Sequence, residues 1–171
     1  KKHLQNSINS RPNIILMHGD KDEIVPISFL LEAKDFFNKN NQNELWNNHV
    51  ELALWADYMI IAPATANSLS KMASARADNL LLGTYLSSKC PVYFAPAMDL
   101  DMHKSQANQD NIDKLISYGN IHIPVNSGFL ASGLEGEGRM QEPDQIIDFI
   151  KNDIMKDLKL FKKKILVTAG P

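Results

Sequence analysis

The chain has 171 residues, 44% of them hydrophobic, with 18 basic and 20 acidic side chains and a formal net charge of −2. That length suits one ordinary domain with a real core, and a charge near zero excludes a nucleic-acid binder that works by neutralising phosphates. No apolar run approaches the ~20 residues needed to cross a bilayer, the N-terminus carries no apolar leader, and the single cysteine, Cys90, can form neither an internal disulfide nor a metal cluster; these bounds predict a cytoplasmic α/β domain without membrane or nucleic-acid partners.

In chain order, Asn13 to Met17 reads as a strand, followed by His18-Gly19-Asp20-Lys21-Asp22-Glu23-Ile24-Val25-Pro26 and an amphipathic helix from Ile27 to about Asn38. An asparagine-rich joint, Asn38 to Asn43, has no periodicity, so a boundary is placed there: residues 1–40 on one side, 44–158 on the other. Apolar strand-like runs follow at Tyr58 to Ile61 and Pro91 to Phe94, with a weaker one at Ile121 to Ile123. The first two lead at once into small or turn-forming residues, Ala62-Pro63-Ala64 and Ala95-Pro96-Ala97. Helical patterns lie between them, at Asn67–Ala75, Asp78–Ser87 and Gln106–Tyr118, the last stopped by Gly119 as a C-cap. Strand, loop and helix in repetition predict a parallel sheet with helices on its faces. Ligands bind such sheets at the carboxyl ends of the strands, where the Ala/Pro loops fall. The glycine-rich stretch Asn126 to Arg139 is expected to be a mobile loop that orders over a ligand. A last helix runs from Pro143 to Leu158, and residues 159–171 form a basic linker ending in one more strand-like run, Lys164 to Val167.

The segment His18 to Pro26 resembles the acid-bearing loop of α/β-hydrolases of the carboxylesterase/phospholipase type, with Asp22 in the place of the acid that orients the catalytic histidine. The nucleophile elbow of that fold, Gly-x-Ser-x-Gly, is absent from the chain. An acid without nucleophile and base cannot run acyl transfer, so Asp22 reads as an exposed loop carboxylate and the segment as a hydrolase remnant.

From Trp46 onward five ordered motifs stand together: His49-Val-Glu-Leu-Ala-Leu-Trp-Ala-Asp57, Ile61-Ala-Pro-Ala-Thr-Ala-Asn67, Ala77-Asp78-Asn-Leu-Leu81, Ala95-Pro-Ala-Met98-Asp99, and Gly128-Phe-Leu-Ala-Ser-Gly133-x-x-Gly136-x-Gly138-Arg-Met140-x-Glu-Pro143. This set resembles the phosphopantothenoylcysteine decarboxylases of the flavin-containing cysteine decarboxylase family, over about Trp46 to Ile150. The closing Lys164 to Pro171 is similar to the opening of the ligase domain that follows the decarboxylase in bifunctional members.

The resemblance implies a flavodoxin-like sheet, FMN as cofactor, and conversion of 4′-phosphopantothenoylcysteine to 4′-phosphopantetheine in coenzyme A biosynthesis. It also implies a homo-oligomer, trimeric or larger, with the flavin between subunits; Trp46, Trp55 and Tyr58 cluster where an aromatic interface core would form. The family's N-terminal flavin-cradle strand and Gly-rich turn are not found before Trp46, where the hydrolase-like segment stands instead. The implied domain is therefore N-terminally truncated, and a flavin- or pantetheine-binding fragment without turnover is the alternative reading.

Residue by residue, the resemblance places Ala62, Pro63, Thr65, Asn67, Asp78 and Ala97 at the cofactor, with small side chains where a flat ring must approach the backbone. From the residues alone Thr65 also reads as a helix N-cap. His49 takes the place of the active-site histidine, suited to proton transfer near neutral pH; without the family, a lone histidine at a helix start is ordinarily structural. Met98, Asp99, Arg139 and Met140 fall at the substrate, and Met102 close behind. Two positions depart from the family. Asp99 stands where an asparagine would donate to the substrate carboxylate. Ser132 stands where a cysteine gives a proton in the final reduction, and a hydroxyl is a far weaker acid than a thiol.

Overall fold

A computed structural model of the chain describes residues 14–17, 48–130 and 132–156. Asp22, the helix expected from Ile27, the asparagine-rich joint, Trp46 and the ligase-like end lie outside these residues. The chain divides into two compact units between Gln141 and Glu142.

The larger unit is built on a parallel sheet of four strands in the order β1-β2-β3-β4: Ile14–Met17, Tyr58–Ala64, Val92–Pro96 and Ile121–His122. Ile14 lies opposite Tyr58 and Met17 opposite Ile61, so β1 belongs to the same sheet as the motif-bearing strands. The β2–β3 register runs Met59 to Val92 and Ile61 to Phe94, then shifts before Ala64 meets Pro96. All five residues of β3 are buried, so both faces of this strand are covered, as in a buried parallel sheet. This is the flavodoxin-like fold.

Helices α1 (His49–Trp55), α2 (Ala66–Ala73), α3 (Leu80–Ser87) and α5 (Gln106–Ser117) supply the partners of one sheet face. Leu52 and Ala56, Leu69 and Met72, Leu81 and Leu82, and Ile112 and Leu115 close around Met59, Ile61, Val92 and Phe94 in one core cluster. Fully burying one such side chain is worth about 1.5–3 kcal/mol. Two of these helices start on asparagine caps: Asn48 Oδ1 accepts from Val50 N–H at 3.0 Å and Asn79 Oδ1 from Leu82 N–H at 2.9 Å, tying two orphan amides.

Two elements differ from the sequence expectation. A short helix α4, Leu100–Lys104, follows β3. The stretch read as a mobile loop forms an antiparallel hairpin of β5 (Asn126–Phe129) and β6 (Glu135–Arg139). Its β6 sequence, Glu-Gly-Glu-Gly-Arg, has no apolar side and so shows no hydrophobic alternation to read. What holds β6 is close backbone approach: a Cβ on Gly136 would lie 2.8 Å from Leu100 Cδ1, and one on Gly138, at φ +142°, would collide with the carbonyl oxygen of Met98.

The smaller unit carries α6, Pro143–Met155. Gln145 Oε1 accepts from the Glu142 N–H at 3.1 Å, and Pro143 opens the first turn, so the Glu-Pro pair that closes the Gly-rich motif has a helix-starting reason of its own.

Candidate functional site

At the carboxyl ends of β2 and β3, the loop after each strand is tied to its neighbour through main-chain groups. Ala97 N–H donates to the Ala64 carbonyl at 3.1 Å, and Met98 N–H donates to the Gly138 carbonyl at 3.0 Å. The two strand-end loops and the hairpin thus share one backbone frame. Between them lies a cleft of about 430 Å³ lined by Pro63, Thr65, Ala97, Met98, Asp99, Phe129, Leu130, Ser132, Gly138, Arg139 and Met140. That volume falls within the roughly 300–1,000 Å³ of small-molecule sites.

Eight of the residues singled out from the sequence come together here: Pro63, Thr65, Ala97, Met98, Asp99, Ser132, Arg139 and Met140. Thr65 does what both of its readings required. Its Oγ1 accepts from Ser68 N–H at 3.3 Å as the N-cap of α2, and the residue also lines the cleft. Asp99 is the N-cap of α4, its Oδ1 accepting from Leu100 N–H at 2.8 Å. That bond turns one carboxylate oxygen toward the helix amide. Ser132 sits in the turn of the hairpin, exposed, its Oγ accepting from Leu134 N–H at 3.4 Å.

Four others do not line the cleft. Ala62 precedes Pro63 through a cis peptide bond. Asn67 is exposed in the first turn of α2. Asp78 is exposed and paired with the Lys71 ammonium at 2.8 Å, which holds its carboxyl below the usual aspartate range. His49 opens α1, exposed, with its ring against Gly83 of α3. Met102 is exposed at 48% on α4 and is likewise absent from the lining. Phe129, Leu130 and Gly138 line the cleft without a role assigned from sequence. The signal for Phe129 was an aromatic side chain inside a glycine-rich motif, and it stands 71% exposed on β5.

The lining suits a flat heteroaromatic ring. Pro63 and Ala97 leave one wall short of side-chain bulk, Met98, Met140, Phe129 and Leu130 are apolar, and the Thr65 and Ser132 hydroxyls with the Arg139 guanidinium offer polar contacts. Among the described residues no cluster of His, Cys, Asp and Glu could hold a metal ion. No helix among them is long and apolar enough to cross a membrane.

A cleft at the carboxyl end of a parallel sheet, roofed by a glycine-rich hairpin, defines a ligand-binding α/β protein of flavodoxin-like type. The chain belongs to the Flavoprotein family, whose profile matches residues 13–155. It is 48% identical over 141 residues to a cysteine/cysteine sulfinic acid decarboxylase from an unidentified prokaryote, covering 80% of this chain and 39% of that protein. It is 37% identical over 139 residues to the coenzyme A biosynthesis bifunctional protein CoaBC of Bacillus subtilis, covering 80% of this chain and 34% of that one. The chain thus spans between a third and two fifths of the length of these relatives. Among solved structures, it resembles a cysteine-to-serine mutant of PPC decarboxylase complexed with pantothenoylaminoethenethiol, with a TM-score of 0.63 and 33% identity over 66% of each chain. It also resembles the FMN-binding protein AtHal3, with a TM-score of 0.57 and 30% identity over 75% of this chain and 69% of that one.

Proposed function

We propose that this chain is the flavoprotein decarboxylase portion of a coenzyme A biosynthesis protein, which uses FMN to convert 4′-phosphopantothenoylcysteine to 4′-phosphopantetheine in the cytoplasm. The observation that carries the reading is the convergence of the Ala-Pro-Ala-Thr, Pro-Ala-Met-Asp and Gly-Arg-Met segments on one cleft. CoaBC proteins and a PPC decarboxylase structure among its relatives support it.

The chemistry a flavin would supply when bound is two-electron oxidation of the substrate thiol to a thioaldehyde, whose C=S group accepts the electron pair released as CO2 departs, and return of those two electrons to the resulting enethiolate. The chain's own residues do the rest. Pro63, Ala97 and Met98 would seat the ring, with Thr65 as a polar handle already fixed by its capping bond. Arg139 would take an anionic group of the substrate, because a guanidinium offers paired donors to carboxylate or phosphate. Met98, Met140 and Phe129 would exclude water from the reacting carbons. Ala62, Asn67 and Asp78 would meet the cofactor from outside this lining, and His49 would handle the proton of the thiol. Ser132, on the hairpin turn, would return a proton to the enethiolate.

Association of three or more copies is part of this reading. Val50 and Leu54, one turn apart on α1, are 42% and 64% exposed beside His49, an apolar stripe suited to a second copy. That arrangement would bring His49 of one copy to the cleft of the next.

A second reading has its own support: decarboxylation of free cysteine or cysteine sulfinic acid, the substrates in the name of the relative at 48% identity. The Asp99 carboxylate in the cleft would accept from a free ammonium, which the acylated substrate lacks. The test is one assay on purified protein. Flavin absorbance is recorded first, then CO2 release from phosphopantothenoylcysteine, cysteine and cysteine sulfinic acid. Release from the first alone supports the main reading, and release from either free amino acid alone replaces it.

A further inference from the structure

Gly83 stands in the interior of α3, four residues into Leu80–Ser87. Glycine weakens a helix interior relative to alanine because it surrenders more backbone freedom on folding. The backbone at Gly83 is not in the left-handed region, so conformation does not require a glycine there. Space does. A Cβ built on Gly83 would meet His49 Cγ at 3.2 Å and His49 Cβ and Cδ2 at 3.4 Å each. All three nearest atoms belong to the same side chain, and none is a ring nitrogen. The Cβ–Cγ–Cδ2 edge of the histidine is therefore the part that lies closest to the bare backbone at Gly83.

The two helices are held in this relation independently of the ring. Leu52 and Ala53 of α1 and Leu81 and Leu82 of α3 are all buried. With the helix axes fixed by that packing, whatever occupies position 83 decides how close the imidazole can lie. Without the contact, a histidine at an exposed helix start would choose among rotamers at little cost.

We propose that Gly83 is a positioning residue: its missing side chain seats the His49 imidazole against α3 and fixes the direction of its nitrogens. The inference rests on the proposed role of His49 and adds the device that orients it. A methyl group at 83 must push the ring outward by a few tenths of an ångström or into another rotamer, and small misplacements of a proton-transfer group are expensive in rate.

The test uses the full chain loaded with FMN and the variants G83A, H49N and G83A/H49N. In G83A the His49 ring proton resonances should shift while the melting temperature stays or rises by about 1–3 °C, as a better helix former predicts. The value of kcat should fall about 5- to 30-fold with KM within twofold, and the double variant should be no slower than H49N alone. Unmoved ring resonances overturn the proposal, as does a G83A rate equal to wild type where H49N is slow, or a double variant slower by the product of both losses. If H49N itself is as fast as wild type, the role of His49 fails first and the positioning role falls with it. Should G83A melt below wild type, adding H49A must restore the melting temperature, since removing the ring removes the collision; failure to restore it also overturns the proposal.

Discussion

Met98 and Gly138 touch through main-chain atoms alone: the Met98 N–H donates to the Gly138 carbonyl at 3.0 Å, while the Met98 carbonyl occupies the space a side chain on Gly138 would need. Gly138 also sits at φ +142°, where an L side chain is strained. Replacing it with alanine should cost about 1–3 kcal/mol from backbone strain, with the collision added. Thermal melts should show a clear loss, and ligand affinity should fall further than stability, because the displaced hairpin carries Arg139 and Ser132. Wild-type melting of G138A would refute this packing.

Asn67 separates ligand contact from fold support. It is exposed in the first turn of α2, a turn without an acidic residue. Aspartate there favours the helix dipole by about 0.3–1 kcal/mol, so N67D should melt at or above wild type. If Asn67 serves the cofactor as the motif suggests, flavin retention through gel filtration should nevertheless drop. Retention equal to wild type would remove Asn67 from the site.

For Ser132 the discriminating change is to cysteine. An unperturbed thiol has a pKa of ~8.5 and a serine hydroxyl is far less acidic. S132C should raise the ratio of reduced thiol product to oxidised enethiol, measured by mass spectrometry, without altering flavin content. The bond from Leu134 N–H to Ser132 Oγ is long at 3.4 Å, so its weakening should leave the turn in place. An unchanged ratio would mean that another group returns the proton.

His122 makes stability depend on pH. Its ring stacks on Phe94 with centroids 5.2 Å apart, and its Nε2 is buried with no hydrogen-bond partner among the described residues. Burial first, and the neighbouring His103 second, push its pKa below the ordinary 6.5, while Asp113 opposes them. The unfolded chain therefore binds the proton more readily than the folded one, and stability is full above about pH 6.5 and falls as the pH drops below it. H122F should keep the stack, remove the unpaired nitrogen and flatten that decline. Denaturant melts between pH 5 and 8 would reveal it, and an undiminished slope in H122F would assign the decline elsewhere.

Self-association is checked by light scattering. A flavin-loaded species of at least three times the 19.2 kDa chain mass is expected at micromolar concentration. L54E should reduce it, since a charge in the exposed α1 stripe opposes an apolar contact. A flavin-loaded monomer would count against the shared site.

The sheet was legible because its strands announce themselves. Tyr58 to Ala64 and Val92 to Pro96 are apolar runs closed by small residues, and the structure pairs them in parallel as that pattern predicts. The hairpin was hidden, since Glu135 to Arg139 has no apolar side and its packing depends on absent side chains. At the cleft, segments far apart in sequence converge, with Pro63 and Thr65, Ala97 and Met98, and Arg139 and Met140 on one lining. The ion pair of Asp78 with Lys71, seven positions earlier, was not legible, because α2 ends at Ala73 and no helical or strand period carries across to Asp78. His49 opens α1 and stands outside the lining, as does every other residue of that helix.

The bonds from Ala97 to Ala64 and from Met98 to Gly138 involve no side-chain atom. Main-chain groups therefore set the spacing of the cleft walls, while the side chains of Thr65 and Asp99 cap the helices that start beside it. Ser132, exposed in the hairpin turn, can be exchanged for another polar group while those walls keep their spacing, so what the cleft accepts can change without rebuilding the backbone. Specificity and architecture thus reside in different atoms, the first in side chains of the hairpin and the second in the peptide groups that join it to the strand ends.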